Sequence, residues 1–181
     1  MKNRVEAGRQ AKFAGDDFEE WLNTQHEKAK HLGILAHVEK TQAVTRMVHG
    51  RLIYAERGVA DYIGCFESGR YLALEAKSTK DKRFAKSNVS VKQQDHLERV
   101  ARAGGLALLL VEFREIYLGY LLRRCFAIPW LEVPWAVKRT AESISADELL
   151  GREALPDCYL KQWHAGGVSS TVVRTRRYAR E

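Results

Sequence analysis

The chain has 181 residues, 45% of them hydrophobic and 29% charged, with 30 Lys and Arg against 23 Asp and Glu for a formal net charge of +7. That length suits one domain with a sizeable core, and no apolar run approaches bilayer thickness. Residues 1–6 are charged and lead into no apolar stretch, so a cytoplasmic protein is expected, without a secretory signal and without membrane partners.

The three cysteines, Cys65, Cys125 and Cys158, are odd in number and widely spaced, as suits reduced structural thiols. None of the six histidines falls at a convincing metal-ligand spacing. No repeat, low-complexity tract or linker interrupts the chain, and Pro129, Pro134 and Pro156 all lie late. One domain is expected: a core over about residues 15–122, a C-terminal packing segment over 123–165, and a basic tail, expected to be mobile, over 166–181.

In chain order, Phe18, Trp21, Leu22 and Ala29 stand at helical spacing and predict a helix over 16–30, with acids in its first turn and Gly33 beyond its end. Residues 34–38 alternate weakly as a short strand and 52–55 form another, while the polar stretch between them has no assignment. Residues 59–66 and 71–77 read as two strands joined by a hairpin loop that contains Gly69. Ser90 followed by Gln93 is a capping box, predicting a helix to about residue 103 that Gly104 and Gly105 stop. Residues 106–113 read as a strand buried on both faces, with a tight turn before a further strand over 116–122. Trp130, Trp135 and Trp163 read as core, and Ser145 with Glu148 as a second capping box before a short helix. The order of helix, strands, helix, strands predicts an α/β fold with a mixed central sheet.

Charge on the apolar hairpin is the informative feature. On residues 71–77 strand parity puts Glu75 and Lys77 on one face, and Asp61 on the preceding strand can reach the same end of the sheet. Two carboxylates so close repel unless a cation lies between them, and a hard divalent ion such as Mg²⁺ accepts both carboxylate and phosphate oxygens. Lys77 would then stand beside the attacking water or beside charge developing on a phosphate. Two basic clusters, one of Lys77, Lys80, Lys82, Arg83 and Lys86 and one of Arg174, Arg176, Arg177 and Arg180, would attract a polyanion, nucleic acid first.

These residues resemble the active-site signature of the PD-(D/E)xK nuclease superfamily and, within it, the RecU-type Holliday junction resolvases. Asp61-Tyr62-Ile63-Gly64 is similar to the family's aspartate strand, and Leu74-Glu75-Ala76-Lys77-Ser78-Thr79 to its E-A-K segment. Asn88, the run Gln93-Gln94-Asp95-His96-Leu97 and the Gly104-Gly105 break extend the likeness downstream, and Gly15-Asp16-Asp17-Phe18-Glu19 extends it upstream. The resemblance covers about residues 15–122. It implies a restriction-endonuclease-like fold, a single domain with a mixed central sheet flanked by helices. It also implies an endodeoxyribonuclease dependent on Mg²⁺, with Mn²⁺ as the alternative, that acts on DNA four-way junctions.

By that resemblance Asp61 and Glu75 would hold the metal, together with the carbonyl of Ala76. Lys77 would act on the water, and Glu19 and Gln93 would join the catalytic set. Lys40, Lys80, Lys82, Arg83, Arg174, Arg176 and Arg177 would contact DNA. A homodimer follows from the two-fold symmetry of the junction, because paired nicks need two active sites.

Departures from the family are Thr41-Gln42-Ala43-Val44-Thr45-Arg46, which lacks the P-T-P segment after Lys40, and a short segment where the resolvases carry an extended stalk. Junction specificity is the property these leave open, against a restriction-like or repair endonuclease on duplex DNA. Blander readings also stand: a cross-strand ion pair for Asp61, Glu75 and Lys77, a helix-dipole acid for Glu19, a capping partner for Gln93, and a basic DNA-binding module without turnover.

Overall fold

The computed structural model describes residues 2–41, 44–49, 51–56, 58–117, 120–137, 142–149, 160 and 172–178. Helix α1 (Lys2–His31) begins well ahead of the predicted helix over 16–30. Residues 2–15 include Gly8 and Gly15 and lack a continuous apolar stripe, so helical periodicity becomes legible only from Phe18 onward. Asp16, Asp17 and Glu19 consequently sit in mid-helix, where a helix-start dipole no longer accounts for them.

Strands β1 (Leu35–Lys40), β2 (Val44–Val48) and β3 (Arg51–Glu56) follow. The stretch without an assignment thus supplies one arm of the antiparallel β2–β3 pair, which forms a sheet of its own. Strands β4 (Tyr62–Phe66) and β5 (Tyr71–Thr79) form the expected antiparallel hairpin. After β6 (Arg83–Ala85) and one 3-10 turn (Lys86–Asn88), helix α2 (Val91–Arg102) opens on Ser90 with both halves of its capping box made. Beyond its last residue the chain passes through Gly104 at φ +87°, a conformation glycine takes without a Cβ clash.

Strand β7 (Leu106–Tyr117) runs through Arg114 and Glu115, where a turn was expected, and reverses between Tyr117 and Tyr120 into β8 (Tyr120–Pro129). Arg124 of β8 contacts Glu115 across the strand pair, while Arg114 lies 3.9 Å from Glu112 on its own strand, so this charge is compensated inside the sheet. A 3-10 turn (Trp130–Glu132), the short helix α3 (Pro134–Val137) and β9 (Ser143–Ser145) come next. Ser145 and Glu148 exchange capping-box bonds and open a 3-10 turn (Asp147–Leu149), the last described residues of this segment before Leu160. Strand β10 (Val172–Tyr178) lies in the tail expected to be mobile and pairs antiparallel with β8 at the sheet edge.

The central mixed sheet has six strands in the order β1-β4-β5-β7-β8-β10, with β5 and β7 parallel and the other neighbours antiparallel. Its residues divide by parity. Leu72, Leu74, Leu108 and Leu110 pack with Phe18, Leu22 and Ala29 of α1. On the other face Ala73, Ala107, Leu109 and Val111 pack with Leu97 and Val100 of α2, and with Trp130, Val133 and Trp135. The expectation of a mixed sheet flanked by helices holds, and burial of Trp130 and Trp135 agrees with their reading as core; Trp163 lies outside the described residues.

Candidate active site

Strands β4 and β5 part at one end of the sheet, and Asp61, Glu75 and Lys77 gather there. The last ladder pair is Tyr62 with Leu74. Asp61, one residue outside β4, still donates its N–H to the carbonyl of Leu74 at 2.9 Å. Its Oδ2 then accepts the N–H of Ala76 at 2.8 Å, taking the place of a backbone partner. The fork thus fixes the Asp61 carboxylate over β5. The carbonyl of Asp61 accepts the N–H of Thr41 at 2.9 Å, so the chain just beyond β1 braces it from the other side.

Glu75 points to the face covered by α2, as strand parity predicts, and is fully buried. Its Oε1 accepts from the Lys77 ammonium and from Nε2 of Gln93 at 2.5 Å. Its Oε2 is buried without a hydrogen-bond partner. Burial first, and the charge of Asp61 second, push the Glu75 carboxyl up to about 7, while Lys77 pulls the other way. Beside the Lys77 contact, the second buried oxygen of Glu75 and the Asp61 carboxylate form a donor set that fits a hard divalent ion keeping most of its waters. Among the described residues no group of three or more His, Cys, Asp or Glu side chains is placed to hold a metal.

Glu19 lies on the opposite face, on α1, where its carboxylate pairs with Lys40 at 2.5 Å. The Tyr62 hydroxyl donates to Oδ1 of Asn23 at 3.0 Å and approaches the carbonyl of Glu19 at 3.4 Å, tying this part of α1 to the residue after Asp61. Lys40 pairs in register with Tyr62, so both members of the ion pair stand near the forked end. Lys80 and Lys82 are exposed just beyond β5. Arg83 is engaged by Ser143 and Glu148. Arg174, Arg176 and Arg177 occupy β10, in register with Cys125, Arg123 and Leu122, away from the fork.

The sequence reading missed a buried polar network behind the site. Glu112 on β7 accepts from Ser78 at 2.6 Å and lies 3.5 Å from Arg123, whose other nitrogen donates to Asp17 of α1 at 2.7 Å. Its signal in the sequence was a lone acid inside a run otherwise apolar on both faces.

The family model for Recombination protein U matches residues 15–154. No curated protein gives a significant match. Among solved structures, the chain is similar to Hjc of Archaeoglobus fulgidus, a Holliday junction resolvase from an archaeal hyperthermophile, at 18% identity and a TM-score of 0.42, covering 74% of this chain and 89% of that one. The matched span of the family model takes in Glu19, Asp61, Glu75, Lys77 and Gln93 as well as most of the central sheet, and on its length the chain belongs to the Recombination protein U family.

Proposed function

We propose that the protein is an endodeoxyribonuclease that depends on a divalent metal, Mg²⁺ first and Mn²⁺ as alternative, and cuts branched DNA. Its substrate is the Holliday junction, into which a homodimer introduces paired symmetric nicks. The observation that carries this reading is the forked end of β4 and β5, where Asp61 and Glu75 converge with Lys77 and one buried carboxylate oxygen has no partner. Membership of the Recombination protein U family supports a place in DNA recombination.

Asp61 and Glu75 would hold the metal, with the carbonyl of Ala76 as a further donor. When bound, the ion supplies Lewis acidity to the phosphoryl oxygens and offsets the negative charge of the two carboxylates. Glu75 is oriented by Gln93 and Lys77, and Asp61 by the Ala76 amide, so both acids are placed before substrate arrives. Lys77 donates from Nζ to Glu75, a position from which it can orient the attacking water and stabilise charge on the phosphate. Water adds to phosphorus, one P–O bond breaks, and the departing oxygen takes up a proton. Glu19, paired with Lys40, stands as an outer acid of the site. Lys40, Lys80 and Lys82 serve as phosphate contacts, with Arg174, Arg176 and Arg177 as further DNA contacts in this reading.

The test is incubation of purified protein with a labelled four-way junction and a linear duplex of the same arms, with and without Mg²⁺, beside Glu75→Ala. Paired nicks in the junction alone, dependent on metal and abolished in the variant, are expected. Cutting of both DNAs would remove the junction specificity, and binding without cutting under any divalent ion would remove the nuclease.

A further inference from the structure

Residues 80–90 join the catalytic strand to α2 and carry Lys80, Lys82, Arg83 and Lys86. A polar stretch of this composition would ordinarily be a mobile loop. Here it is pinned to the C-terminal segment. Strand β6 pairs with β9 in the register Arg83 to Ser145, Phe84 to Ile144 and Ala85 to Ser143. Phe84 is buried, its ring centroid 6.1 Å from that of Trp135, and the N–H of Lys86 donates to the carbonyl of Glu142 at 2.8 Å.

Arg83 is the fastening. Its Nε donates to Oγ of Ser143 at 2.8 Å, and its Nη2 reaches the Ser143 carbonyl at 3.1 Å and the two carboxylate oxygens of Glu148 at 3.1 and 3.2 Å. Glu148 is itself held by the Ser145 amide at 2.7 Å. Of the other acids here, Glu142 lies 3.9 Å from Lys86 and Asp147 3.4 Å from Arg124 of β8, while Asp81 stands exposed between Lys80 and Lys82.

We propose that the β6–β9 ribbon is a substrate-positioning platform, in which Arg83 acts through Glu148 and Ser143 to hold Lys80 and Lys82 against the phosphate backbone instead of contacting phosphate itself. The proposal rests on the nucleic-acid reading above, because it needs a polyanion crossing the end of β5. Both members of the Arg83–Glu148 pair are half exposed, so the pair adds little to stability, and its role is to choose one position for the stretch. Plain surface electrostatics gives the opposite expectation. Glu148 is a negative charge close to a polyanion, and its removal should then tighten binding.

The experiment measures binding of a fluorescent four-way junction without divalent ion, from about 50 to 200 mM salt, for the wild type, Glu148→Gln, Arg83→Gln, their double variant, and Lys82→Ala. The expected result is a Kd raised about five-fold by each of Glu148→Gln and Arg83→Gln, with the double variant no weaker than the weaker single, as coupled neighbours require. The salt slope should fall in Glu148→Gln by about as much as in Lys82→Ala, roughly one phosphate contact, although an acid has been removed. Ser143→Ala, which withdraws only the hydroxyl at Nε, should give an intermediate loss.

Tighter or unchanged binding by Glu148→Gln, or full additivity with Arg83→Gln, would overturn the platform. A wild type that binds the junction but never cuts it would overturn the nuclease reading while leaving this cycle readable. A wild type that binds no DNA would overturn both.

Discussion

The Gln93 side chain is shared between two jobs: its Oε1 accepts the N–H of Ser90 at 2.9 Å, and its Nε2 donates to Oε1 of Glu75 at 2.5 Å. The capping bond and the contact with Glu75, alternatives when only the sequence is read, are made by the two ends of one amide. The start of α2 is thereby locked to the buried acid of β5.

Gln93→Glu separates the two. A glutamate at this position still caps the helix and suits its first turn, but it sets a further carboxylate against Glu75. In EDTA the variant should melt about 5 °C below wild type, the effect of a one to two kcal/mol repulsion in a chain of this size. Mg²⁺ should recover more of that loss than it adds to the wild type. Thermal unfolding with and without Mg²⁺ checks this, and an unchanged melting temperature in EDTA would mean that the amide serves the cap alone.

Glu112→Ala removes the acid that faces Ser78, Arg114 and Arg123. It leaves two largely buried guanidinium groups without their shared counter-charge, a cost of about 3–5 kcal/mol. Asp17→Ala, at the exposed end of the same network, should cost no more than about 1 kcal/mol. Urea unfolding midpoints of the two variants give the comparison, and equal losses would refute a buried origin.

His26 is buried against the edge of Tyr62, ring centroids 4.7 Å apart. Burial, with Lys30 second, lowers its pKa to about 4 from 6.5. The folded state therefore favours the neutral ring, and the unfolded chain binds more protons between these two values. This contribution is fully present above about pH 6.5 and is lost as pH falls toward 4, by at most about 3 kcal/mol. Denaturant titrations at pH 7 and pH 4.5 should show a smaller drop in His26→Gln than in the wild type.

Gly64 is required by proximity. A Cβ there would lie 2.3 Å from the carbonyl oxygen of His37 and 2.8 Å from Cα of Val38, backbone atoms of β1 that cannot turn aside. Gly64→Ala should cost about 3 kcal/mol and loosen β1 from β4. Faster amide exchange in residues 35–40, with α2 unaffected, is the signature to look for.

Local signals in the sequence determined much of this protein. The Ser90–Gln93 box, the apolar stripe of α2, the hairpin around Gly69 and the alternation on β5 depend on neighbours within a few residues, and they placed Glu75 and Lys77 on one face before any fold was known. The Asp61, Glu75 and Lys77 spacing belongs to the same class, because a short hairpin leaves those side chains few other places to be. The Ser145–Glu148 box is formed as expected and opens a 3-10 turn over Asp147–Leu149.

Tertiary structure alone decided the rest. Glu115 looks like a turn residue until Arg124 of β8 is beside it, since charge is buried in a strand when a partner from another element supplies the compensation. The first half of α1 shows no periodic face, and β10 reads as a basic tail until β8 offers it an edge. Glu19 meets Lys40, and Arg83 meets Glu148, across separations in the chain that no periodicity reports. Periodicity records which way a side chain faces within its own element; which residue it meets there is set by how the elements pack.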